Sequence, residues 1–298
     1  MKQEIANLWK TVFGDTDEFI DLWFSRVYKD EQTLSLSRNG RIVSALQIIP
    51  YEMSSYGSIL PVGYVCGVCT LPEERGKGCM TQLMRQAEDL MRERGLALAM
   101  LIPASQQLFD LYRRFGYLPA FDRVDVSIQA DDAAAPLPDV SISLVDSIAT
   151  SGIFPFYDRI QRTYDMAILH TAEQLETVRL DCVSDGGDCW VAYRDNRPAG
   201  MAFAAQMDCK TLFVNEIVAN DKAVYNALLQ YIMRHYNAAS ARVRVRPKGE
   251  SAAPYGMALV LDNKNIPPHI NLRTAYMNLM MDGLRCMAAA PDCQQDMP

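Results

Sequence analysis

Arg75, Gly76, Lys77 and Gly78 stand together between a run of β-forming residues and a run with helical spacing. A turn with two glycines that feeds a helix leaves several backbone N–H groups unpaired and pointing one way. The helix dipole adds positive potential at the same spot. Arg75 and Lys77 add full charges, so the stretch has the makings of a cradle for phosphate oxygens. An ordinary helix-start turn has a similar composition, and the flanks must decide. No Lys-Ser or Lys-Thr follows the second glycine, which argues against a nucleotide P-loop. The Gly-x-Gly-x-x-Gly spacing of a dinucleotide fold is also missing.

The elements around this turn can be read from local pattern. Gly63 to Thr70 is rich in β-formers and stops before Pro72. After the turn, Leu83, Met84, Ala87, Leu90 and Met91 recur at helical spacing up to Gly95, a suitable residue just past a helix end. Leu96 to Ile102 is a continuous apolar run, as expected of a buried strand. Ser105 can cap a helix through Phe115, closed by Gly116, and Tyr117 to Ile128 alternates like an edge pair. Upstream, Ile5 to Phe13 and a segment capped by Asp15 or Thr16 read as two helices. Asn39-Gly40 between two β-rich runs predicts a hairpin.

The strand ending in Leu-Pro-Glu, with Arg75-x-x-Gly78 after it, resembles the GNAT superfamily of N-acetyltransferases, whose pyrophosphate loop reads Gln/Arg-x-x-Gly-x-Gly/Ala. Arg75, Gly76, Lys77, Gly78 and Cys79 fit. Met80 departs, since the last position is usually small, and a large aliphatic residue there is similar to the branch of the enhanced intracellular survival acetyltransferases. The resemblance implies acetyl-CoA as co-substrate. It implies that backbone groups of Val68 and Thr70 bond the pantetheine arm, that one N–H there polarises the thioester carbonyl, and that turn N–H groups from Gly76 to Met80 hold pyrophosphate. It implies a primary amine, on a small molecule or a lysine of a peptide, as acceptor. Leu111-Tyr-Arg-Arg-Phe-Gly-Tyr117 resembles the family's Tyr-x-x-x-Gly-Phe/Tyr segment, which makes Tyr112 the expected proton donor to the leaving thiolate and Tyr117 a core residue. No base is identified. Glu52 and Glu216 are candidates by chemistry only, and deprotonation through water needs neither. The survival-type enzymes carry a third, sterol-carrier-like domain, and at 298 residues a full copy of it is not expected here. An acyl-CoA sensor without turnover, and an aminoacyl or longer-acyl transferase, stay open as alternatives.

The second half repeats the first in outline. Trp190 to Phe203 reads as a hairpin, Thr211 to Val218 as the strand that corresponds to Gly63 to Thr70, and Asp221 to Tyr236 as the helix that follows. Where the first half has Glu-Arg-Gly-Lys-Gly, the second has Ala-Asn-Asp-Lys-Ala, with no glycine for close approach and an aspartate that repels phosphate. The expected organisation is an α/β (α+β) chain of two tandem GNAT-like units, each a mostly antiparallel mixed sheet flanked by helices. The first spans 1–130, a linker 131–140, and a degenerate second unit 141–298. Val243 to Arg246 and Met257 to Leu261 are placed as strands of the second unit, Asn271 to Met281 as a closing helix, and Ala288 to Pro298 as a mobile tail.

Composition narrows the function classes. With 29 Lys and Arg against 36 Asp and Glu, the net charge of −7 argues against nucleic acid as the main partner and is compatible with a cationic amine. No run approaches the roughly 18 apolar residues of a membrane span, and the N-terminus has no apolar leader core, so the expected location is cytoplasmic. Cys66 and Cys69 form a Cys-x-x-Cys on a strand, where residues three apart face opposite sides, and no metal site is expected. The three histidines are scattered and take no role. Self-association into a homo-oligomer is left open.

Overall fold

The computed structural model describes residues 1–130, 137–246, 252–262, 266 and 272–280. In chain order its elements are α1 (Lys2–Phe13), α2 (Asp17–Arg26), β1 (Thr33–Arg38), β2 (Arg41–Ser55), β3 (Ser58–Thr70), α3 (Cys79–Glu93), β4 (Leu98–Leu101), α4 (Gln106–Arg113), β5 (Leu118–Ala120), β6 (Val124–Gln129), β7 (Val140–Leu144), α5 (Ile148–Ser151), α6 (Phe154–Gln161), β8 (Ile168–Leu169), α7 (Ala172–Ser184), β9 (Asp188–Arg194), β10 (Arg197–Gln206), β11 (Thr211–Ala219), α8 (Lys222–His235), β12 (Ser240–Val245) and β13 (Gly256–Val260). They form two units, each a mixed, mostly antiparallel sheet with helices packed on it.

The first unit comprises Met1–Asp122, Asp165–Ile168 and Pro254–Ala275. Its sheet runs β1-β2-β3-β4-β13-β5. Asn39 and Gly40 turn β1 into β2 with φ of 52° and 77°, as their types require. Thr16 caps α2 by accepting the Phe19 N–H. Ser105 stands at the start of α4, but its side chain takes no capping bond. α3 carries Leu83, Met84, Ala87 and Met91, all fully buried against Leu46, Ile48 and Val65 of the sheet. A helix of this length is marginal alone; each large side chain buried stabilises by about 1.5–3 kcal/mol, so packing holds it.

The second unit comprises Arg123–Tyr164, Leu169–Ala253 and Tyr276–Pro298. Its sheet runs β6-β12-β11-β10-β9-β7. Asp195 and Asn196, with φ of 52° and 57°, turn β9 into β10. α8 lays Val224, Leu228 and Ile232 on Trp190, Ala202 and Val214 of the sheet.

Neither unit is a continuous stretch, and this differs from the division at 130/140. Tyr117 to Ile128 does not make an edge pair: β5 joins β13 in the first sheet, and β6 joins β12 in the second. The Met257 strand, expected in the second unit, lies between β4 and β5 of the first. Tyr51 to Leu60 continues two long strands, β2 and β3, that turn at Tyr56-Gly57 with φ of 45° and 83°. The closing helix is also absent over Leu272 to Met280, where a single 3-10 turn at Leu272–Thr274 precedes irregular chain. Linker residues 131–136 and the tail 288–298 lie outside the described residues.

Candidate active site

The site of the first unit begins where β3 leaves β4. β3 stays antiparallel to β2 all the way to Ser44↔Thr70, but is parallel to β4 only over Val62, Gly63 and Tyr64. Among the described residues the far edge of β3 from Val65 onward has no ladder partner. A bulge falls in this stretch: Cys66 pairs with Gln47 and Cys69 with Ala45, so Gly67 and Val68 together oppose Leu46. Gly67 has φ 58°, and a Cβ there would meet Trp9 of α1 at 2.0 Å. Only glycine fits both the backbone and the space.

The bulge also corrects the cysteine reading. Gln47 and Ala45 share a face of β2, so the extra residue in β3 brings Cys66 and Cys69 onto one face. Both are buried, and burial pushes both thiols up, Cys69 to about 12 and Cys66 further.

Beyond the bulge the strand alternates normally. The Leu71 N–H bonds the Val43 carbonyl, and Ser44 Oγ donates to the Cys69 carbonyl at 2.8 Å, so these groups point towards β2. Alternation beyond the bulge then turns the backbone of Thr70 away from β2, to the edge that has no ladder partner among the described residues. The Thr70 carbonyl accepts from Arg75 Nε at 3.3 Å. Val68 packs its side chain on the core beneath α3.

After the strand, one 3-10 turn at Pro72–Glu74 leads to the glycine turn. Gly76 and Gly78 have φ of 76° and 80°, and nothing lies within 4 Å of where their Cβ atoms would be. Gly78 is the residue before α3, and no acidic side chain stands in the first turn of that helix. The N–H groups of Cys79 and Met80 have no partner within the helix, by helix geometry. The Cys79 side chain is buried and the Met80 side chain packs on the core, so these two residues offer only backbone to a ligand. Lys77 is less available than its type suggests: its ammonium lies 3.1 Å from Glu74, which also takes Arg38 at 2.7 Å. These cations hold the Glu74 carboxyl below its usual range, Lys77 foremost. Arg75 is exposed.

Tyr112 sits on α4 in the same core cluster as α3, 6% exposed, its ring 6.1 Å from that of Tyr117. Burial, with a smaller contribution from Cys66, pushes its hydroxyl up to about 12. It is a neutral phenol at pH 7, able to donate a proton. Tyr117 is fully buried, as expected of a core residue.

Of the two carboxylates singled out by chemistry, Glu52 is exposed on β2. Glu216 is buried in the second unit, accepting from Tyr276 Oη at 2.8 Å and Asn278 Nδ2 at 2.6 Å; burial raises it to about 7. Its surroundings repeat the first unit with different contents. β11 is parallel to β12 only as far as Val214, and Asn215 is an extra residue there, since Phe203 pairs with Glu216 and Ala204 with Val214. The Asn215 carbonyl accepts from Asn278, and its side-chain oxygen from Arg244. Asp221 precedes α8 and accepts the Val224 N–H at 2.9 Å while pairing with Arg194 at 2.8 Å.

The residues missed from sequence are Gly67 and Ser44. A glycine inside a strand pattern is the available signal for the first; nothing local marks the second.

Residues 2–120 match the family model described as the acetyltransferase (GNAT) domain. No curated protein matches the chain. Among solved structures, the chain is similar to a conserved Enterococcus faecalis V583 protein, assigned as a probable N-acyltransferase, at 18% identity and TM-score 0.73 over 88% of this chain and 70% of that one. It is similar to Eis1 from Mycobacterium abscessus at 17% identity and TM-score 0.67, over 88% and 71%. A tandem GNAT protein from the clavulanic acid biosynthesis pathway aligns over 88% and 95% at 13% identity and TM-score 0.51. At these identities the structural likeness speaks for the fold.

Proposed function

We propose, from the match of residues 2–120 to the acetyltransferase (GNAT) domain, that this chain moves an acetyl group from acetyl-CoA to a primary amine of a small molecule or lysine. One observation carries the reading: the edge of β3, without a ladder partner among the described residues, is followed after one 3-10 turn at Pro72–Glu74 by a glycine turn at the start of α3. An extended amide-bearing arm can bond such an edge as an added strand. The diphosphate at its end then meets N–H groups at the positive end of a helix dipole.

In this reading Val68 and Thr70 hold the arm by backbone. Gly76, Lys77, Gly78, Cys79 and Met80 supply the turn N–H groups, and Arg75 adds a charge. The bulge at Gly67 loosens the β3 backbone where the thioester lies, leaving an N–H to polarise its carbonyl. The amine nitrogen attacks that carbonyl, a C–N bond forms and the C–S bond breaks. The leaving thiolate takes a proton from the Tyr112 hydroxyl, and the nitrogen gives one up to solvent water. The acidic balance of the chain suits a cationic acceptor. A non-catalytic acyl-CoA sensor draws support from one fact, the burial of Tyr112 in the core.

Titration calorimetry tests the binding half. One acetyl-CoA per chain, lost in the Arg75→Glu, Gly78→Asp double variant, is expected. No binding to the wild type would overturn the proposal, and two per chain would overturn a silent second unit. Turnover with an amine panel then separates enzyme from sensor. Tyr112→Phe should lower kcat about 100-fold with unchanged acetyl-CoA affinity.

A further inference from the structure

Ser44 is fully buried on β2, and its hydroxyl stands 2.8 Å from the Cys69 carbonyl and 2.8 Å from Thr70 Oγ1. A carbonyl can only accept, so the one Ser44 proton goes to Cys69, and Ser44 accepts the proton of Thr70. A single side chain thus fixes two consecutive residues of β3 just past the bulge. Thr70 is also where Arg75 is anchored, through Nε to the Thr70 carbonyl at 3.3 Å. With Nε engaged, the two terminal nitrogens of the guanidinium are the ones that can grip a phosphate. Ser44, Thr70 and Arg75 form one chain of contacts from beneath the sheet to the glycine turn.

We infer that Ser44 is a positioning residue for phosphate recognition: it holds Thr70 so that the Thr70 carbonyl aims the Arg75 guanidinium at the turn. The inference rests on the acetyl-CoA reading and extends it to a residue that touches no ligand. A side chain serving only to satisfy buried backbone would matter for stability alone.

The test uses 3′-phospho-ADP, the part of CoA that lacks the arm, titrated into the full chain as wild type, Ser44→Ala, Arg75→Ala and the double variant. Each single change should weaken binding about 5- to 10-fold, the scale of one hydrogen bond. The double variant should bind no worse than Arg75→Ala, because Ser44 acts through Arg75. Additive losses, or unchanged affinity in folded Ser44→Ala, would overturn the inference. Thr70→Val removes the same contact from the partly exposed side and should reproduce the Ser44→Ala loss; it decides the matter should Ser44→Ala fail to fold. A wild type that binds acetyl-CoA while Ser44→Ala and Thr70→Val bind 3′-phospho-ADP as well as it does removes this inference alone. A wild type blind to acetyl-CoA removes the underlying reading with it.

Discussion

α3 and α8 follow strands of the same kind, and they begin in opposite chemistry. Both β3 and β11 run parallel to a neighbour for a few residues and then part from it at a bulge. In the first unit the bulge holds Gly67, the freed edge has no ladder partner among the described residues, and the helix opens with Gly78 and no acid in its first turn. In the second the bulge holds Asn215, whose carbonyl is taken by Asn278, and the helix opens with Asp221, whose own carboxylate sits on the first-turn N–H groups. Asp221 is held below its usual range by the Val224 N–H first and by Arg194 after it. One unit leaves the start of its helix without an acid and the other fills it from within. If the first turn is a phosphate cradle, as proposed, the second shows that such a cradle can be closed by occupation as readily as by deletion of glycines.

Moving the second unit's chemistry into the first is the most damaging way to break this contrast. Gly78→Asp puts a carboxylate, and a side chain strained at φ 80°, where phosphate is expected. Acetyl-CoA affinity should fall about 100-fold or more, read by calorimetry. Asp221→Gly should create no second site, since Asn278 still covers the Asn215 carbonyl; a stoichiometry of two would break the comparison.

The bulges themselves can be compared next. Gly67→Ala drives a Cβ into Trp9 and should destabilise by about 3 kcal/mol or more. Asn215→Ala leaves room but deprives buried Arg244 of a partner, for about 1–3 kcal/mol. Chemical denaturation gives both values.

The segment Tyr276–Asn278 over Glu216 should respond to pH. Glu216 titrates at about 7 when folded against 4.5 ordinarily, so folding takes up a proton between these values. Its contribution to stability is complete below about pH 4.5 and is lost as pH rises through about 7, where a charge must be buried. Hydrogen exchange at residues 276–280 should quicken across that window, and Glu216→Gln should flatten the dependence. The smallest effect is expected of Asp221→Ala. It removes a cap and should lower the melting temperature by a few degrees, with acetyl-CoA affinity unchanged.

How much was legible follows from how local each signal is. Asn39-Gly40, Thr16, Gly78 and Asp221 act within four residues of themselves, and the elements they start or turn were readable. The glycine turn before α3 was readable for the same reason. The pairing partners of β6 and β13 depend on residues more than a hundred positions away, and alternation in Tyr117 to Ile128 could not distinguish one sheet from two. Gly67 carried a signal, a glycine in a strand, that reads equally well as a plain strand position. It hid the shift that put Cys66 and Cys69 on one face. The Ser44 to Thr70 contact needs the register of β2 on β3, which no spacing rule supplies.

The position of β13 bears on how this protein is made. The sheet that carries the candidate site is closed between β4 and β5 by residues Gly256–Val260. During synthesis, everything from the first helix to β5 leaves the ribosome well before the strand that completes it. The first unit must wait, with one side of β4 open, while more than a hundred further residues emerge. A gene fragment ending near residue 130 would encode the whole glycine turn and Tyr112, yet deliver a sheet with an exposed apolar gap prone to aggregation.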